Sequence, residues 1–167
     1  MTILWVIFLA LHIFFAGMAL SQIPVGLFFR RALARAAGTP GELSILATQG
    51  EVIGNLGQYG GIGLLLTGLA LLGVNRYGTT FGLLGLFAPT PTWLFIKQVV
   101  YILIVVILVV ALTPASKRAI AALKGAAQSA SSVTPEVREA SAKVAQISLI
   151  IDLLVIVNVI LAVWKPT

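Results

Sequence analysis

The chain is 167 residues long, 59% hydrophobic and only 10% charged, with a mean hydropathy of +1.07 and a formal net charge of +6. Soluble globular domains are about half apolar and about a quarter charged, so this composition excludes that class and reads as an integral membrane protein. Without a cysteine there is no disulfide, no thiolate ligand and no catalytic thiol.

Four apolar stretches are long enough to cross a hydrocarbon core that needs about 20 helical residues, at roughly 3–29, 52–74, 93–113 and 145–164. The expected fold is all-α, a single integral membrane domain over residues 1–167 arranged as an antiparallel four-helix transmembrane bundle with cytoplasmic helix extensions.

The first stretch has no Lys or Arg ahead of it and outruns the apolar region of a secretory signal, so it is expected to stay attached. It contains His12, the one histidine of the chain, then Gln22 and Pro24. Pro24 frees the carbonyl of Leu20 and predicts a kink. The stretch leaves through Arg30, Arg31 and Arg35.

Thr39-Pro40-Gly41-Glu42 reads as a helix start, with Thr as N-cap, Pro at the first helical position and Glu42 in the first turn, placed for a capping box. The second stretch carries Gly54, Gly57, Gly61 and Gly68 on one stripe, together with Gln58. Small residues on one face permit close helix packing in lipid, and a flat cofactor on that face is the alternative. The loop that follows, Asn75 to Thr92, holds Phe81, Leu83, Leu84, Leu86 and Phe87 and is expected to lie in the headgroup interface or to cover the outer end of the bundle.

Lys97 stands five residues into the third stretch, where snorkelling to the outer interface competes with a functional role. Lys117, Arg118 and Lys124 follow, then a small polar linker, Gln128-Ser129-Ala130-Ser131-Ser132. Thr134-Pro135-Glu136 is a second helix start, and the fourth stretch carries Ser148, Asp152 and Asn158.

Loops one and three hold eight basic residues against two, Arg76 and Lys165, in loop two and the tail. That asymmetry places loops one and three in the cytoplasm and both termini outside, in the cytoplasmic (inner) membrane of a prokaryote. The basic charge is topological, with some attraction to anionic headgroups, and nucleic acid is not an expected partner. The expected partners are the lipid bilayer and a homodimer mate or other membrane subunits.

Counting about 1.5 Å per residue from each span's midpoint puts His12, Lys97 and Asn158 about 5–9 Å outward of centre. Gln22, Gln58 and Asp152 fall about 4–8 Å inward by the same rise. Two polar layers result. Asp152 is expected to meet Gln22, Gln58 or Ser148, not Lys97. Gln22 with Gln58 reads as glue between helices, whereas Asp152 is either a structural carboxyl or a proton- or ligand-handling group.

An imidazole gives an apolar helix nothing unless it has a partner. His12 is either hydrogen-bonded to a neighbouring helix or a metal ligand, and haem iron leads because imidazole suits it. Copper and zinc are not expected: there is no Cys, Met18 is off the face of His12, and no zinc-protease motif occurs.

Leu11-His12, the exit Phe29-Arg30-Arg31-Ala32-Leu33, Leu66 to Leu69 as Leu-Thr-Gly-Leu, Trp93-Leu94 followed by Lys97, and Lys165-Pro166 occur in this order. That series resembles uncharacterised four-helix bacterial membrane proteins grouped with copper-resistance D-like and HemJ-like proteins, over nearly the whole chain. The resemblance implies an antiparallel four-helix membrane bundle. In its HemJ-like branch, associated with haem and protoporphyrinogen oxidation, it implies functional roles for His12 and Lys97. The chain lacks that branch's further His and Tyr residues, and it lacks the Met-rich or multi-His sites of the copper branch.

The expected function is a small haem-b-associated redox or electron-transfer membrane protein. His12 would be the axial ligand, Gly57 and Gly61 would lie against the macrocycle, and Lys97 would pair with a propionate. The rival is a non-catalytic membrane subunit or scaffold in which His12 and Asp152 only lock helices. A transporter comes third, since no broken helix or internal repeat is visible.

Overall fold

The computed structural model describes residues 3–73, 92–128 and 133–164, and every regular element among them is helical. The helices are α1 (Ile3–Ala36), α2 (Gly41–Gly73), α3 (Thr92–Gln128) and α4 (Pro135–Trp164). Three of them, α1, α3 and α4, are long and apolar enough to cross a membrane. The stretch expected as the second span, 52–74, falls on α2. The readings made on loop two, on the linker after Gln128 and on Lys165 lie outside the described residues.

Local chemistry explains where the helices begin and end. Gly38 has φ +76°, a left-handed conformation that glycine adopts without steric cost. It turns the chain from α1 to α2. Thr39 N–H and its hydroxyl both donate to Ala36 O, at 2.9 and 2.7 Å. The expected capping box is therefore altered: Thr39 N–H is already taken, and the Glu42 carboxylate accepts from Gly38 N–H instead, at 2.8 Å. The second helix start forms as expected, with Val137 N–H donating to Thr134 Oγ1 at 3.3 Å and Pro135 opening α4.

Pro24 lies within α1, which continues unbroken to Ala36. At Pro114 the outcome differs. The third helix does not end near residue 113 but passes through one π turn, Leu108–Leu112, and runs on to Gln128. Proline offers no N–H to the carbonyl one turn earlier. The wider turn absorbs that loss while Thr113 N–H and Oγ1 both donate to Leu108 O, the latter at 2.9 Å.

Packing is uneven along the molecule. α1 packs chiefly on α2, and α3 on α4, with slighter contact between the two pairs. Along the first pair, Gly26 meets Ile53, Gln22 meets Gly57, Ala19 meets Gly60, Phe15 meets Gly63 and His12 meets Gly68. The numbers fall along α1 as they rise along α2. Glycine is required at two of these positions: a Cβ on Gly60 would stand 2.9 Å from the backbone nitrogen of Ala19, and one on Gly63 would overlap the Phe15 ring.

A compact apolar cluster of Ala126, Val133 and Val137, with Leu43, Leu46, Ala122 and Leu123 around it, lies where α2 begins, α3 ends and α4 begins. Val137 is its centre, only 1% exposed. Elsewhere the buried residues are few, such as Ala19, Ile104 and Ile147, while Ile13, Phe14, Leu66, Val106 and Leu153 face outward. An apolar surround tolerates such a surface and water does not.

Candidate ligand site around His12

His12 is half-buried on the α1–α2 seam, where Gly68 leaves room for its ring: a Cβ there would stand 3.4 Å from His12 Cε1. His12 Nδ1 lies 2.8 Å from Thr67 Oγ1, and Thr67 is buried. A threonine hydroxyl has one hydrogen to give. Gly63 O, 2.6 Å away on the preceding turn of α2, is within reach of it. With that hydrogen on Gly63 O, Thr67 Oγ1 accepts from His12 Nδ1 and the lone pair is left on Nε2; with it turned to His12, Nδ1 accepts and Nε2 carries the proton. Among the described residues nothing bonds Nε2.

The outward polar residues come together. Lys97 on α3 lies near enough to His12 for the two to interact electrostatically. Its backbone carbonyl accepts from Asn158 Nδ2 of α4 at 3.5 Å, and Asn158 is buried. One turn along α3, Tyr101 donates to Gly61 O of α2 at 3.1 Å. A polar belt thus touches all four helices: His12, Thr67, Lys97 with Tyr101, and Asn158. Lys97 forms no ion pair with a carboxylate among the described residues.

Three participants escaped the sequence reading, Tyr101, Thr67 and Gln98. Thr67 was visible only as part of Leu-Thr-Gly-Leu, and its role depends on the α1–α2 register. Gln98 directly follows Lys97, and both of its amide atoms are enclosed without a partner among the described residues, as is Asn158 Oδ1. Native proteins leave few such groups unsatisfied.

The inward residues do not assemble. Gln22 Nε2 donates to Ala19 O of its own helix at 3.0 Å, and its other amide atom fills the space beside Gly57. Gln58 is exposed and without a hydrogen bond among the described residues. Asp152 is half-buried, and the charge acting on it is that of Arg30. Asp152 was expected to meet Gln22, Gln58 or Ser148; among the described residues no hydrogen bond joins it to any of the three, and Arg30 at the basic exit of α1 is the charge that reaches it.

The glycine stripe also divides. Gly57, Gly60, Gly63 and Gly68 are covered by α1, whereas Gly54 and Gly61 have nothing within 4 Å of a Cβ position. The expectation that Gly57 lies against a macrocycle is corrected, because Gln22 occupies that place. Gly61 stays open, on the side where Tyr101 approaches. Of the other residues expected to hold a haem, His12 bonds Thr67 and Lys97 lies within electrostatic reach of it.

At the opposite end Glu42, nearly buried, pairs with Arg138 across 3.0 Å. Beside them a cleft of about 320 Å³ opens between Leu33 of α1, Ala37 just after it, Leu46 of α2 and Ser141 of α4. None of the expected site residues lines it. No family model matches this chain, and no curated protein or solved structure does.

Proposed function

We propose that this chain is a membrane-spanning antiparallel four-helix bundle that associates with haem b as a small redox or electron-transfer protein, with His12 Nε2 as the axial ligand. The observation that carries the reading is the hydrogen-bond chain from His12 Nδ1 to Thr67 to Gly63 O. Metal-ligating histidines almost always spend their other ring N–H on a fixed acceptor, which sets the tautomer and the ring orientation.

The residues divide the work. His12 supplies the ligand, and Thr67 holds its ring and raises its basicity. Lys97, unpaired with any carboxylate among the described residues, suits a propionate. Gly61 leaves the side of α2 nearest Tyr101 unobstructed. A bound haem would supply one-electron chemistry at its iron. The likeness to HemJ-like proteins points the same way. In the proposed orientation the Arg30, Arg138 and Lys143 end faces the cytoplasm, both termini lie outside, and α2 completes the fourth span in the inner membrane of a prokaryote.

A second reading is favoured by the α1–α2 face itself, where Gln22, Ala19 and Phe15 occupy the glycine stripe. That packing suits a non-catalytic membrane subunit whose polar residues lock helices. Haem content separates the two. Protein produced with ample haem should show a Soret band, and His12→Ala should lose it while keeping its helical circular dichroism. Thr67→Val should keep the band and bind haem about ten-fold more weakly, the lower end of the effect of losing such an orienting partner. Equal haem content in wild type and His12→Ala would overturn the haem reading and leave the scaffold.

A further inference from the structure

On α2, the residues that meet α1 are Ile53, Gly57, Gly60, Gly63, Thr67 and Gly68. At about 100° per residue, the opposite side of the helix carries Glu51, Asn55, Gln58, Ile62, Leu65 and Leu69. All six are exposed. α3 reaches α2 from neither of these directions but from the flank, where Tyr101 bonds to Gly61. The six residues recur at alternating spacings of four and three, the pattern of a helix seam that packs on another helix.

Two features make this more than an outward apolar face. Asn55 and Gln58 have no hydrogen bond among the described residues. They lie inward of Thr67 and outward of the level where α1 turns basic, since Gln22 of α1 is the neighbour of Gly57. Primary amides facing hydrocarbon there would leave donors and acceptors unmet, and polar groups within membrane spans turn toward protein or water. The second feature is the order along the seam: amides toward the basic end, Ile62, Leu65 and Leu69 toward the other.

We infer that this face of α2 packs against the same face of a second copy of this chain, in a parallel two-fold pair. The amides choose the occupant. Each carries both a donor and an acceptor, so a two-fold axis that brings Gln58 to Gln58 and Asn55 to Asn55 satisfies both partners with one surface. Polar residues within a seam of this spacing also fix its register, because a slip of one turn sets an amide against Ile62. Beyond them, Ile62, Leu65 and Leu69 meet their counterparts.

The inference rests on the membrane-spanning reading but not on haem. α1 lies on the far side of α2 from the seam, so each copy keeps its own His12–Thr67 pair and neither imidazole reaches the other site.

The natural absence of cysteine gives the test a clean background. Single cysteines at Asn55, Gln58 or Ile62, and control cysteines at the outward residues Leu27 and Val106, are introduced into the full chain. Each protein is purified, reconstituted alone into dilute lipid vesicles and oxidised. Flotation with the vesicles checks membrane residence separately from pairing. Covalent dimer should form at least ten-fold faster at the three seam positions than at the controls. Adding Gln58→Leu to the Ile62→Cys protein should slow it several-fold. Seam and control positions that react alike in protein that floats would overturn the inference, as would dimers formed only through the controls.

Discussion

The two ends of this molecule solve opposite problems with the same helices. At the basic end, polar groups are closed off and large apolar residues are inside. Glu42 is nearly buried and answered by Gly38 N–H and Arg138, and Val137 sits within a shell of Leu43, Leu46 and Leu123. Midway along the helices the α1–α2 seam is made of glycine, Ala19, Phe15 and a few polar side chains, while Phe14, Leu66 and Val106 look outward. The first region is built as a water-facing domain is, by burying apolar area. In the proposed membrane the second would gain little from burial, because its surround would be as apolar as its side chains, and it would rely on close backbone approach and hydrogen bonds between helices.

That contrast is most exposed to test at Gly60. Gly60→Leu would drive a side chain into the backbone of Ala19, and backbone yields less readily than a flexible side chain. A loss of about 3 kcal/mol is expected, the upper part of the usual cost of overpacking, read as a lowered unfolding midpoint in detergent and as separation of α1 from α2. A value near zero would mean that the α1–α2 seam is not the tight one.

Glu42→Ala comes next. Its exposed partner Arg138 is screened by solvent, so the ion pair itself contributes under about 1 kcal/mol. The larger part is the Gly38 N–H left without an acceptor at the turn, and the total should be about 2 kcal/mol. Glu42→Gln should recover about half of it, because the amide oxygen still accepts from Gly38; equal losses in the two variants would assign the effect to charge.

The smallest effect is expected at Val106, exposed on α3. Val106→Ala should change stability in detergent by less than about 0.5 kcal/mol, although the same substitution inside the Val137 cluster should cost about 2 kcal/mol. Similar losses at Val106 and Val137 would erase the difference between the two regions.

What could be read from the sequence follows the same division. Helix starts depend on neighbours in the chain, so Thr134-Pro135-Glu136 was legible. Thr39 was partly so: its N–H goes to Ala36 because Gly38 turns left-handed, which no spacing rule reveals. The continuation of α3 to Gln128 was not legible, because the apolar stretch ends near residue 113 and no spacing shows that a π turn takes up the hydrogen bond Pro114 cannot make. Depth counting brought His12, Lys97 and Asn158 to one level because helical rise is constant. It could not find Thr67 or the Arg30–Asp152 neighbourhood, which depend on the rotation of one helix about its axis relative to the next. Gly57 was assigned to a cofactor face for the same reason: a stripe of glycines does not say which helix lies on it.

The central claim, that Thr67 presents His12 Nε2 to a haem iron, is tested most directly by exchanging the imidazole for a free one. His12→Gly opens a cavity of about that size beside Gly68. The variant should lack the Soret signature of axial imidazole, regain it when imidazole is added in solution, and regain it less well when Thr67→Val is also present. The account is contradicted if the wild-type protein, supplied with haem, gives the same spectrum as His12→Gly and neither responds to imidazole.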